Sequence, residues 1–127
     1  MKLRCVHNSI RIRIKKSELK KFDNVGVLTE SVSFGKVTQL TYGLVIDSKH
    51  QKGCATFENN LITIHIPVVV AENWITSDEV GIEFYDSIGN GEQLHILIEK
   101  DFPCVDREDE DKSDTFTELA TKKPDVC

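Results

Sequence analysis

Long apolar runs are missing from this chain of 127 residues. No stretch nears the ~18 apolar residues of a membrane-spanning helix, so no membrane is expected as a partner. The start, Met1-Lys2-Leu3-Arg4-Cys5-Val6-His7, carries charge and no apolar h-region. A secretory leader is therefore not expected, and a cytoplasmic location is. Cysteines are few and scattered. Cys5, Cys54, Cys104 and Cys127 make no C-x-x-C pair, which removes zinc-finger spacing and leaves free thiols as the expectation. A glycine loop for phosphate, a Rossmann fingerprint and a G-x-S-x-G elbow are also absent. No cofactor is expected on that ground, and the common nucleotide and hydrolase machineries are excluded.

Charge is present but uneven. The net charge is −5. Residues 1–22 hold almost all of the early Lys and Arg with a single acid, Glu18, whereas the middle and the end of the chain are acidic. A nucleic-acid binder normally presents a basic domain, so nucleic acid is excluded as the expected partner. The basic edge reads instead as pairing with acidic groups of the same fold or of a second copy, which leaves a homodimer or a protein partner open.

What is abundant is period-two alternation. Ile10, Ile12 and Ile14 alternate with Arg11, Arg13 and Lys15, so the isoleucines face a core and the cations face away. Ser17 reads as the cap of a short helix over 18–22 that ends before Gly26. Strands are expected over 27–34, 37–46, 54–58, 61–66, 81–86 and 92–100. Asn59-Asn60 is a two-residue hairpin signal, because Asn tolerates positive φ. Pro67 suits the first turn of a second short helix containing Trp74. With short connections the strands are expected to pair antiparallel. The fold class is α+β and strand-dominated: a curved antiparallel sheet or a small, partly open β-barrel of about seven strands and two short helices. No internal repeat is expected. Residues 1–104 form this single domain. Residues 105–127 form an acidic C-terminal tail, with its first half packed on the body, where Phe116 and Leu119 offer docking side chains, and its last part disordered.

Few residues suggest chemistry. Arg11, Arg13 and Lys15 make a basic strand face able to hold a small phosphate- or carboxylate-bearing ligand; the plain alternative is a solvated outer face. His65 and His95 stand off the core face of their strands and are the candidate metal ligands, with Glu83, Glu99 and Cys104 as further donors. No local His pair supports them, and exposed strand histidines are the alternative. His7 and His50 read as isolated. Acidic neighbours of Cys104 disfavour a nucleophilic thiol. The acids from Asp106 onward fail the calcium-loop pattern, with Asp111 where Gly is needed and Thr117 where Glu is. No catalytic residues are assigned, and an enzyme is not the expected reading.

Several segments resemble a family of small uncharacterised bacterial proteins. They are Asn8-Ser9-Ile10-Arg11-Ile12-Arg13, Glu30 through Phe34-Gly35, Trp74 with Ser77-Asp78, Val80-Gly81-Ile82, Asn90-Gly91-Glu92-Gln93-Leu94 and Ile98-Glu99-Lys100-Asp101-Phe102. Cys104, Glu110-Asp111 and Ser113-Asp114 complete the set. The resemblance implies that the first half of the tail belongs to the domain, and it brings no functional residues. A second, weaker similarity is to triphosphate tunnel enzymes, whose barrels of about eight strands carry inward Arg, Lys and Glu. Arg11, Arg13, Glu83, Glu99 and Lys100 have that character, but seven strands are too few and the N-terminal paired glutamates followed by lysine are missing. The expected function is a small binding or assembly module; the alternative is a binder or enzyme for a small anion on the basic strand face.

Overall fold

The computed structural model describes residues 1–103 and 113–122. In chain order they form β1 (Lys2–Val6), β2 (Ser9–Ile14), α1 (Lys16–Val25), β3 (Val27–Ser33), β4 (Gln39–Asp47) and β5 (Cys54–Glu58), followed by β6 (Leu61–Pro67), α2 (Val68–Thr76), β7 (Gly81–Gly89) and β8 (Glu92–Lys100). A 3-10 turn covers Thr117–Lys122. The strands make two four-stranded sheets, β1-β2-β8-β7 and β3-β4-β6-β5. Among the described residues they do not close into a barrel.

Strand dominance with two helices matches the expected class, but the expected antiparallel sheet is corrected to two mixed sheets. Each sheet has a parallel pair at its centre, β2 with β8 and β4 with β6. The short-loop argument governs strands adjacent in sequence, and the four hairpins it covers are all antiparallel. β2 and β8 stand near opposite ends of the body, and β4 reaches β6 only by way of β5, so neither parallel pair is joined by a hairpin loop. The eighth strand is β1. Only Leu3 of its five residues is even half-buried, so it lacks the alternation that marks a strand. Its register comes from the two-residue turn His7-Asn8, with Val6 opposite Ser9 and His7 at φ 52°.

The chain folds as two copies of one unit, strand-strand-helix-strand-strand, and this overturns the expectation of no repeat. β1-β2-α1-β3-β4 corresponds to β5-β6-α2-β7-β8. The turns correspond: His7-Asn8 joins β1 to β2 as Asn59-Asn60 joins β5 to β6. Registers correspond as well. Ile14 lies opposite Lys100 as Ile66 lies opposite Ile46, and Leu28 opposite Leu44 as Ile82 opposite Ile98. The central pairing exchanges the second hairpin of each unit, so β7-β8 completes the sheet of β1-β2 and β3-β4 that of β5-β6.

One core lies between the sheets. Ile12 and Ile14 of β2 meet Ile64 and Ile66 of β6, with Leu44, Ile82, Ile96 and Ile98 beside them. Each helix adds one large aromatic at the same place in its unit, Phe22 in α1 and Trp74 in α2, and both are fully buried. The Trp74 indole N–H donates to the Val80 carbonyl at 3.1 Å, which satisfies its polar atom. The tunnel-enzyme likeness fails here although the strand count reaches eight, because the interior is filled by isoleucine and aromatic side chains and the arginines lie on an outer face.

Local chemistry sets the helix ends. α1 is capped at Lys15, not Ser17: the Glu18 carboxylate accepts the Lys15 backbone N–H at 2.8 Å. Gly26 ends it in the left-handed region at φ 79°, donating to the Phe22 carbonyl. Pro67 leads directly into α2, as expected. The sheets also meet at corners. At one, the Met1 ammonium pairs with Glu18 and Glu30, and the Tyr42 hydroxyl donates to Glu30 at 2.9 Å. Burial first, then the Glu30 carboxylate, pushes the Tyr42 hydroxyl up to about 12. At the matching corner Gly53 lies against the Phe84 ring so closely that a Cβ would overlap it.

Candidate functional site

Alternation that buries the isoleucines turns their neighbours outward, and the two outer faces carry different chemistry. On β1-β2-β8-β7 the outward row is Lys2 and Arg4, Arg11 and Arg13, His95 and Glu99, Glu83 and Tyr85. Glu99 is the hub. Its Oε1 lies 3.3 Å from Arg11 Nε and its Oε2 3.9 Å from Arg13 Nη2, with the carboxylate only 12% exposed. The Phe102 ring lies over the Arg13 guanidinium at 5.3 Å. Beside it the Lys2 ammonium meets Asp101 at 3.4 Å. The side chain of Arg13 is 16% exposed, and its Nε and Nη2 have no hydrogen-bond partner among the described residues. These two atoms form one edge of the guanidinium fork. A cleft of about 380 Å³ lies alongside, lined by Lys2, Arg13, Asp101, Phe102 and Pro103. A second, of about 240 Å³, is lined by Arg4, Ser9, Arg11, His95 and Leu97 among others.

His95 belongs to this face. Its ring stacks on Tyr85 at 4.7 Å, and its buried Nε2 lies 3.5 Å from Glu83, long for a hydrogen bond. Tyr85 donates its hydroxyl to Glu83 at 2.8 Å. That bond first, and His95 as well, lower the Glu83 carboxyl, while the same bond and the Glu83 charge raise the Tyr85 hydroxyl.

On β3-β4-β6-β5 the outer face carries hydroxyls, such as Thr29, Thr41, Thr56 and Thr63, and one titratable cluster. Asp47 ends β4, His65 lies on β6 and His50 lies in the loop after β4. Asp47 Oδ1 accepts the Lys49 backbone N–H at 2.7 Å, so its Oδ2 is left to both histidines. His50 Nδ1 lies 2.7 Å and His65 Nδ1 2.9 Å from that oxygen. The other ring nitrogen of His65 meets Thr56 Oγ1 at 3.2 Å. The Lys49 N–H first, and then His50, hold the Asp47 carboxyl down at about 2. Cys54 lies opposite His65 in register; burial and the charges of Asp86 and Asp47 push its thiol up, so it is no ready nucleophile.

Of the residues singled out in the sequence, Arg11 and Arg13 are brought together, by Glu99. Lys15 is not with them: it is the exposed cap of α1 and lines neither cleft. His65 and His95 are not brought together either. They lie on outer faces of different sheets with the core between, because each belongs to the β6 or β8 set turned away from it. His65 meets His50 instead, which sequence spacing left isolated, since a loop return from β4 has no local signature. Cys5 and Cys54 are free thiols; Cys104 and residues 105–112 lie outside the described residues. Phe116 and Leu119, offered as docking side chains, are 75% and 50% exposed.

A family model for a family of unknown function, DUF7009, matches residues 1–119. The chain belongs to the DUF7009 family. The match takes in both repeat units and reaches past Ser113-Asp114. No curated protein and no solved structure matches this DUF7009 chain. No helix among its described residues is long and apolar enough to cross a membrane.

Proposed function

We propose that this DUF7009 domain is a binding module that takes a small phosphate- or carboxylate-bearing anion on the outer face of β1-β2-β8-β7. The observation that supports the reading is the edge of Arg13 that makes no hydrogen bond among the described residues. Two guanidinium N–H donors with no acceptor, on a side chain 16% exposed, leave charge-assisted bonds unmade. A buried donor left unsatisfied costs about 1–3 kcal/mol, and more when charged. The Nε and Nη2 edge matches two oxygens of one carboxylate or phosphate. Arg11 and Lys2 add positive charge on either side, and Glu99 holds Arg11 at 3.3 Å but stands 3.9 Å from Arg13 Nη2, beyond hydrogen-bond reach. The ligand enters along the 380 Å³ cleft as Phe102 lifts from the guanidinium. A space of that size fits a small ion or one charged end of a metabolite.

Titration with inorganic phosphate and with malonate, followed by the amide and Arg Nε–H signals in NMR, tests the reading. Shifts centred on Arg13, Lys2 and Phe102, lost in Arg13→Gln, are the expected result. Unmoved spectra at tens of millimolar of both anions would refute it. Sedimentation of the same sample reads whether the chain also forms the expected homodimer.

A further inference from the structure

The second outer face carries a site of its own. We propose that Asp47, His50 and His65 bind one divalent transition ion of the zinc type at the end of β4 and β6. Three donor atoms, one carboxylate oxygen and two imidazole nitrogens, lie within 4.8 Å of one another. Donors that share a tetrahedral ion at about 2.0–2.2 Å stand some 3.3–3.5 Å apart, so small side-chain adjustments admit the ion. Two nitrogens and one oxygen select zinc, cobalt, nickel or copper; calcium and magnesium prefer oxygen alone.

The cluster is built, with its supports outside the donor set. Parallel pairing of β4 with β6 places Asp47 one step along from His65 on the same face. The Lys49 N–H holds Asp47 Oδ1 and thereby aims Oδ2. Thr56 holds the far nitrogen of His65, the usual support of a metal-bound imidazole. Ion entry frees the Nδ1 lone pair of His65 by moving its proton to Nε2. Thr56 serves either form, because a hydroxyl accepts as well as donates. The rings of His50 and His65 lie 4.8 Å apart at an interplanar angle of 42°, with both Nδ1 atoms turned to the same Asp47 oxygen, where the ion would sit. His50, 43% exposed, forms the open side, where water completes the coordination.

The repeat gives an internal contrast. The place of His65 in the first unit is held by Arg13, that of Asp47 by Asp101 and that of Cys54 by Lys2. Arginine and lysine repel a cation, so only one unit offers this site.

The test uses the full chain without a tag, stripped by chelator. Calorimetry with zinc, and absorbance with cobalt, are expected to show one ion per chain, with the intense visible bands of low-coordinate cobalt. His50→Ala and Asp47→Asn are expected to abolish stoichiometric binding, while His7→Ala keeps it. Thr56→Val is expected to weaken zinc roughly tenfold, as loss of an outer support does; a casual surface chelate would not respond. His50 is exposed and lies in a loop, so its variant folds, and circular dichroism verifies this. Zinc binding below one equivalent, or binding that survives both His50→Ala and Asp47→Asn, overturns the proposal. Phosphate binding at Arg13 is untouched by either outcome.

Discussion

The two repeat units agree on the inside and differ on the outside. Ile12 and Ile64, Ile14 and Ile66, Phe22 and Trp74, and Leu28 and Ile82 take matching places and are all buried. On the outer faces the matching places read Arg13 against His65, Arg11 against Thr63 and Glu99 against Val45. Interior positions are bound by volume, since cores pack near crystal density. Outward positions need only stay compatible with a pleated surface, so one scaffold can carry a guanidinium-carboxylate cluster on one side and an imidazole-carboxylate cluster on the other.

The sharpest way to break the comparison is at the aromatic plugs. Phe22→Ala and Trp74→Ala are each expected to cost about 3–5 kcal/mol in urea unfolding, as large-to-small changes in a dry core do. A cost under about 1 kcal/mol for either would show that the two units do not share a core role. Glu99→Gln acts on one face only. It leaves Arg11 and Arg13 without their common carboxylate, and a loss of about 1 kcal/mol is expected, the upper range of a partly exposed ion pair. Affinity for phosphate at Arg13 should rise in the same variant. Val45→Ala, at the matching place, should leave that affinity unchanged.

Asp47 distinguishes the faces by pH. Its folded carboxyl stands at about 2 against an ordinary 3.8, so the unfolded chain binds the proton first as pH falls. The stabilisation it brings is complete above the ordinary value and is lost as pH drops from 3.8 through 2. Melting curves of the native chain and of Asp47→Asn should therefore differ at pH 6 and converge near pH 2. A constant gap would place the effect elsewhere. The smallest effect is expected at the turns. His7 holds φ 52° where the second unit has Asn59 at 51°. Asn tolerates that region better than His, so His7→Asn should stabilise by about 0.5 kcal/mol. A loss of stability would mean that the His7 ring makes a contact Asn59 lacks.

Much of the scaffold is legible in the residues. Ile10, Ile12 and Ile14 show which way β2 faces, Asn59-Asn60 marks the β5-β6 hairpin and Pro67 the start of α2. The repeat was legible too: Asn8 to Ile14 and Asn60 to Ile66 both read Asn-x-Ile-x-Ile-x-Ile. Alternation within one strand is a local pattern and does not by itself point to a second copy far along the chain. β1 escaped because an edge strand with one half-buried side chain leaves almost no pattern. Of the candidate sites, Arg11 and Arg13 were legible as a pair because they share one strand. The partners of His65 were not, since Asp47 reaches it from a parallel neighbour and His50 from a loop.

By itself the sequence determined which side chains enter the core, because alternation along a strand is local and its period is fixed by backbone geometry. It also determined the helix ends at Gly26 and Pro67, where backbone freedom is a property of the residue. Only the tertiary structure decided that β8 pairs with β2 and β4 with β6. That choice depends on burying both isoleucine faces at once, and no local signal carries it. With it came the functional neighbours: Glu99 beside Arg11 and Arg13, and Asp47 beside His65.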